Sequence, residues 1–262
     1  MSINILGEEY DIATTTELFL YGNKLTSIPE LIESLSNLQK LYLHGNNLTS
    51  LSDSIRSLSN LKILFLDNNS LTNFPKSIGF LSNLQYLNLS HNKLTRMSKS
   101  IQSLSNLQYL NLSYNNLTSL SESIGMLSNL RKLYLVSNNL TSLPNQIGSL
   151  YNLEILSLEK NNLTSLPESI QMLSNLQKLY LHNNNLTSLP ESIEILTKIE
   201  TLNLDESSYD INNLSIDCHT LILTSIKNNI TNLPPLLRTL YLKSDIETDM
   251  IKLPYGCDII RF

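Results

Sequence analysis

The chain has 262 residues, and Leu (57), Ser (36) and Asn (33) fill 48% of it, whereas Ala and Val occur once each, as Ala13 and Val136, and Trp is absent. Scarce Ala excludes a helical bundle or a doubly wound α/β domain, scarce Val excludes a parallel sheet buried on both faces, and 41% hydrophobic content excludes a disordered chain. A net charge of -5 with only 18 Lys and Arg opposes phosphate neutralisation, so no nucleic-acid partner is expected.

Met1 to Asp11 carries no positive region and only a short apolar run, Ile3 to Leu6, so it does not read as a secretory signal. No apolar run nears the roughly 18 residues that would span a bilayer, and no membrane partner is expected. A cytoplasmic location follows as the expectation. Residues 1–14 read as a polar N-terminal cap.

A 23-residue unit then repeats across residues 15–207. Leu38-Gln-Lys-Leu41-Tyr-Leu43-His-Gly-Asn46 recurs from Leu61, Leu84, Leu107, Leu130, Leu153 and Leu176, after a weaker copy from Thr15. Asn23, Asn46, Asn69, Asn92, Asn115, Asn138, Asn161 and Asn184 fall at a constant spacing of 23. The L-x-L pair predicts a short strand with its leucines inward and the residues between and beside them outward. Pro29, Pro75, Pro144, Pro167 and Pro190 then block further pairing, and the S-I-x-x-L spacing suits one helical or 3₁₀ turn on the opposite side. An Asn at every turn suits an internal ladder, since its amide both donates to and accepts from backbone groups.

On these residues the sequence resembles leucine-rich-repeat proteins of the 23-residue type, most closely the intracellular, Ras-group-like members with L-P-x-x-I-x-x-L repeats. The resemblance implies an α/β solenoid: a horseshoe with a parallel β-sheet on the concave face and short helical or 3₁₀ turns and extended segments on the convex face. It also implies that the repeated Asn points inward, and that the protein serves as a scaffold or adaptor for a protein partner. Frequent Asn, Ile and Lys beside scarce Ala is similar to coding in AT-rich genomes, such as those of amoebae and their large DNA viruses.

The period breaks at Ser207, where the next Asn is due. Across residues 208–262, Cys218-His-Thr-Leu221, Leu237-Arg-Thr-Leu240 and Cys257-Asp-Ile-Ile260 align at intervals of 19 and 20, as short repeats ending the same solenoid. In that alignment both cysteines take the first core position two turns apart, about 10 Å, too far for a disulfide. Phe262 lies inside the last strand, so an edge is expected there that invites self-association. The ten N-x-S/T sequons fall out of the repeat and are not read as glycosylation sites.

No catalytic constellation appears. The seven glycines build no phosphate or dinucleotide loop, and His44, His91, His182 and His219 build no H-E-x-x-H. His44 and His182 read as surface residues six turns apart, and the acidic stretch Asp205 to Asp210 lacks the Gly and terminal Glu of a calcium loop. The expectation is no enzyme, no metal and no cofactor.

The remainder is surface. Outward positions three, five, seven and eight of the repeats hold Phe19, Tyr21, Tyr42, Phe65, Tyr86, Tyr109, Tyr114, Tyr134, Tyr180 and Tyr241, beside Lys40, Lys132 and Lys178. Read as function, they form an exposed aromatic band that binds a protein partner on the concave face. Read as structure, they stabilise the sheet, because aromatics pack against same-face neighbours. Two further roles stay open, an effector that binds host proteins and a non-catalytic regulatory subunit of a signalling enzyme.

Overall fold

The computed structural model describes residues 1–204, 218–226, 229–249 and 251–262. Its first element is an antiparallel hairpin of β1 (Ser2–Ile5) and β2 (Glu8–Asp11). Leu6 and Gly7 turn it with φ of 54° and 92°, the two positive values a type I′ turn requires. Ile5 is buried, and Ile3 and Tyr10 pack on the core beside it. The N-terminal cap is therefore a hairpin, a form that its polar composition did not indicate.

Twelve parallel strands follow among the described residues, stacked in chain order. They are β3 (Glu17–Phe19), β4 (Lys40–Tyr42), β5 (Ile63–Phe65), β6 (Tyr86–Asn88), β7 (Tyr109–Asn111), β8 (Lys132–Tyr134), β9 (Ile155–Ser157), β10 (Lys178–Tyr180), β11 (Thr201–Leu204), β12 (Thr220–Leu223), β13 (Thr239–Leu242) and β14 (Asp258–Arg261). From β3 to β11 each residue pairs with the one 23 later, as Leu41 with Leu64 and Leu64 does with Leu87. The central leucine of each strand is fully buried, and its neighbours face outward. Period-two alternation thus puts the central leucines together on one side of the sheet.

The opposite side is built from eight five-residue 3₁₀ turns, η1 (Glu30–Ser34), η2 (Asp53–Ser57), η3 (Lys76–Phe80), η4 (Lys99–Ser103), η5 (Glu122–Met126), η6 (Asn145–Ser149), η7 (Glu168–Met172) and η8 (Glu191–Ile195). Each buries its isoleucine, and the leucine that ends it donates its backbone N–H to that isoleucine's carbonyl. Where the preceding residue is not Pro, it is Ser52, Ser98 or Ser121, whose hydroxyl accepts the N–H two residues on. Two chemistries therefore start the same turn. The η turns also stack closely. A Cβ on Gly148 would sit 2.5 Å from the Ser169 carbonyl oxygen.

Between strand and turn lies the asparagine ladder. Asn46, Asn69, Asn92, Asn115, Asn138, Asn161 and Asn184 are buried. Asn115 is typical: its amide donates to the carbonyls of Leu89 (3.0 Å), Leu112 (3.0 Å) and Ser113 (3.2 Å), and its Oδ1 accepts the Leu94 N–H at 3.0 Å. One side chain thereby ties two successive turns together. Asn23 departs from the expected series. It is exposed, and its amide donates only to Tyr21, at 3.2 Å. The reason is positional: β3 is the edge of the sheet, so no preceding parallel strand offers the carbonyl that the interior asparagines use. The residue just before the ladder position, the eighth of the unit, is left-handed throughout, from Gly22 (φ 70°) and Gly45 (66°) to Tyr114 (55°) and Asn183 (56°).

The break at Ser207 and the Asp205 to Asp210 stretch lie outside the described residues. Beyond them β12, β13 and β14 pair with a constant offset of 19, as Leu221 with Leu240 and Leu240 with Ile259. This corrects the alignment of the last repeat by one residue. Ile259, not Ile260, matches Leu240, and Ile260 is exposed on the outer face. Cys257 accordingly falls level with Arg238 and is half-buried, whereas Cys218 is buried in the core; no disulfide joins them. A one-residue slip exchanges the two faces of a strand, and adjacent isoleucines left that slip open in the sequence.

The open face of the sheet as candidate functional site

Among the described residues no helix or strand packs over the outer face of the sheet; elements touch only their neighbours along the stack. Every strand therefore offers its third and fifth repeat positions to that face. Because parallel pairing holds equivalent positions side by side, aromatic rings at those positions meet across strands.

They meet continuously. Phe19 stacks on Tyr42 with ring centroids 4.7 Å apart, and Tyr42 stacks on Phe65 at 5.2 Å. Phe65 leans on Tyr86 at 4.9 Å, Tyr86 stacks on Tyr109 at 4.0 Å, and Tyr109 leans on Tyr134 at 5.3 Å. Six rings on β3 to β8 form one ribbon, crossing from the fifth position to the third and back. Its members are less exposed than the sequence suggests: Phe19 is 52% exposed, but the other five are half-buried against one another. In the stacked pairs each ring face is covered by its neighbour, so the ribbon presents ring edges and phenol groups. Burial raises the hydroxyl pKa of Tyr86 and Tyr134 within the ribbon and of Tyr180 outside it, and neighbouring Tyr109 raises the first two further, so these phenol groups are partly withdrawn from water.

The other expected site residues are placed apart. Tyr180 lies beyond β9, whose outward residues are Ile155 and Ser157, and no ring contact links it to the ribbon. Tyr114 belongs to a second, shorter stack with His91 at 4.2 Å. Lys40 is engaged by Glu17 at 2.8 Å, while Lys132 and Lys178 stand half-buried on β8 and β10 without an ion pair among the described residues.

Histidines also enter this surface, although their spacing in the sequence suggests separate polar residues. His44 is half-buried and stacks on Tyr21 at 4.9 Å. The Nδ1 atoms of His44 and His182 and the Oδ1 of Asp67 are buried without a hydrogen-bond partner among the described residues. The signal was present in the register, because Tyr21 and His44 are 23 apart. Among the described residues no group of three or more His, Cys, Asp or Glu is placed to hold a metal ion, and no helix is long and apolar enough to cross a membrane.

Comparison with known proteins agrees with this architecture. The leucine-rich repeat region family matches residues 72–158 and 115–216, and two further leucine-rich-repeat families match 36–94 and 16–55. Among solved structures, a leucine-rich-repeat protein of Leptospira interrogans is 36% identical with a TM-score of 0.75, over 90% of this chain and 59% of its own. The chain thus spans less than two thirds of that relative. Internalin C2 of Listeria monocytogenes is 26% identical with a TM-score of 0.64, over 70% of this chain and 78% of its own. No curated protein sequence matches. Leucine-rich-repeat domains generally mediate protein–protein interaction and are typically non-catalytic. The repeat spacing, the parallel sheet and these matches together make the chain a member of the leucine-rich-repeat family.

Proposed function

We propose that this protein is a non-catalytic interaction module, a scaffold or adaptor, that holds a protein partner on the open face of its sheet. One observation carries the reading: an unbroken ribbon of six aromatic rings lies on a face that no element of the described structure covers. Sheet packing alone explains ring-on-ring contact, but an uncovered aromatic surface is the kind that association buries. Lys132 beside the last ring of the ribbon and Lys178 two strands on make no ion pair among the described residues and suit acceptor groups on the same partner. The cytoplasm is the proposed location, and self-association through edge strand β14 is a separate proposal, contradicted by a strictly monomeric mass in light scattering at high concentration.

Substituting Tyr42, Phe65, Tyr86 and Tyr109 by Ser is expected to abolish partner capture while the circular-dichroism spectrum stays that of the wild type. Because those rings stack, a second variant with Tyr42, Tyr86, Tyr109 and Tyr134 changed to Phe keeps the stack and removes only the phenol groups. It is expected to fold normally and capture less. Full capture by either folded variant contradicts the proposal.

A further inference from the structure

The repeats serve as controls for one another, and two of them break the pattern on the side away from the sheet. Three units read T-S-L-P-E or T-S-L-S-E where the chain enters its 3₁₀ turn, as at Thr164 to Glu168, and Thr26 to Glu30 and Thr49 to Asp53 each differ from them by one similar residue. The first residue of that turn is Glu30, Asp53, Glu122, Glu168 and Glu191 in five units and Asn145 in a sixth, but Lys76 and Lys99 in the two adjacent units that carry η3 and η4. Two positions before the turn Leu or Ile is the rule, yet these same units hold Phe74 and Met97. The Ser that precedes that residue becomes Arg96 in one of them. The fold does not require these changes, because the other units make the same turn without them.

The altered residues converge on one cleft of about 530 Å³. Arg56, Lys76 and Arg96 line it, with Leu51, Phe74 and Met97 as its apolar bed. Arg56 is partly satisfied: it pairs with Asp53 at 2.9 Å and lies over the Phe80 ring at 4.3 Å. Lys76 and Arg96 are exposed and make no ion pair among the described residues. In a chain of net charge -5, a cleft with three cations and one carboxylate is a local reversal of sign.

We infer that this cleft is a second binding site, independent of the open sheet face, for an extended acidic peptide segment carrying an apolar side chain. The charge selects carboxylates. Phe74 and Met97 form a nearly buried floor, and the half-buried Leu51 with the span over three successive repeats selects a chain rather than a small ion, which would use the cations alone.

The test uses the whole protein, fluorescein-labelled peptide EEFEE, its neutral counterpart QQFQQ, and fluorescence anisotropy at low ionic strength. EEFEE is expected to bind, with QQFQQ about tenfold weaker, and added salt is expected to remove the difference. The variant Lys76→Glu with Arg96→Ser restores the residues that other repeats carry, so it keeps the fold; it is expected to weaken EEFEE about tenfold. Equal binding of EEFEE to wild type and the charge-restored variant overturns the inference. So does its displacement by inorganic phosphate at concentrations equal to those of unlabelled peptide, or no binding at millimolar peptide.

Discussion

The nine strands β3 to β11 and the three strands β12 to β14 belong to one sheet but return to it differently. In the first region a 23-residue turn has room for a 3₁₀ element and an asparagine that binds two turns at once. In the second, 19 residues suffice, and among the described residues neither the ladder nor the 3₁₀ turn recurs. The strand bonds are equally short in both, as from the Gln108 N–H to the Gln85 carbonyl and from the Thr220 N–H to the Glu200 carbonyl, each at 2.8 Å, but in the second region the Thr224 and Ser225 hydroxyls are buried without partners among the described residues. The difference teaches that the leucine-spaced strands set the stack, while the return segment is interchangeable and decides how firmly each turn is tied.

The comparison can be broken first at what the regions share. Leu110→Ala and Leu240→Ala each empty a fully buried strand position, and each is expected to cost about 2–5 kcal/mol in chemical denaturation. A much smaller loss at Leu240 would show that the strands are not the common foundation. The next effect belongs to the long turns alone. Asn115→Ala leaves the Leu94 N–H without its partner and takes one of two donors from the carbonyls of Leu89, Leu112 and Ser113, and it is expected to cost about 1–3 kcal/mol. An unchanged denaturation midpoint contradicts the ladder. Asn23→Ala, whose side chain is exposed, should cost far less.

Gly148→Ala probes the stacking of the 3₁₀ turns. Its methyl group would meet the Ser169 carbonyl oxygen at 2.5 Å, so a loss of about 1–3 kcal/mol is expected, confined to this kind of return. Smallest is an alkaline effect. Tyr86, Tyr134 and Tyr180 all lie on the 23-residue side, and burial raises their pKa above the ordinary value of about 10. Above that pH the unfolded chain loses these protons first, so the folded state holds more of them. Stability is full below about pH 10 and falls as pH rises, and the triple Phe variant flattens that fall.

The repeat was legible because its signals are spacings. Leu pairs two apart and Asn at intervals of 23 specify strand, turn and register together, and Ile with Leu three apart marks the 3₁₀ turn. What escaped depended on neighbours in space. Asn23 carries the ladder residue at the ladder position, but its role requires a preceding strand that β3 lacks. Ile259 and Ile260 satisfy the apolar pattern equally, so only pairing with Leu240 chooses between them. The aromatic positions of the candidate site were readable one by one. Their mutual stacking, which hides ring faces and leaves edges, came from the cross-strand register of third and fifth positions. The basic cleft was equally present as departures from the repeat, at Phe74, Lys76, Arg96 and Met97, and took shape only where three repeats lie side by side.

The central claim is that a partner protein is held on the open sheet face, and quantitative affinity capture tests it most directly. Wild type, the variant with Tyr42, Tyr86, Tyr109 and Tyr134 changed to Phe, and the cleft variant Lys76→Glu with Arg96→Ser are compared at equal folded concentration. The account predicts one partner protein retained by wild type and the cleft variant and depleted by the ribbon variant. Equal retention by all three, with circular dichroism unchanged, would contradict it.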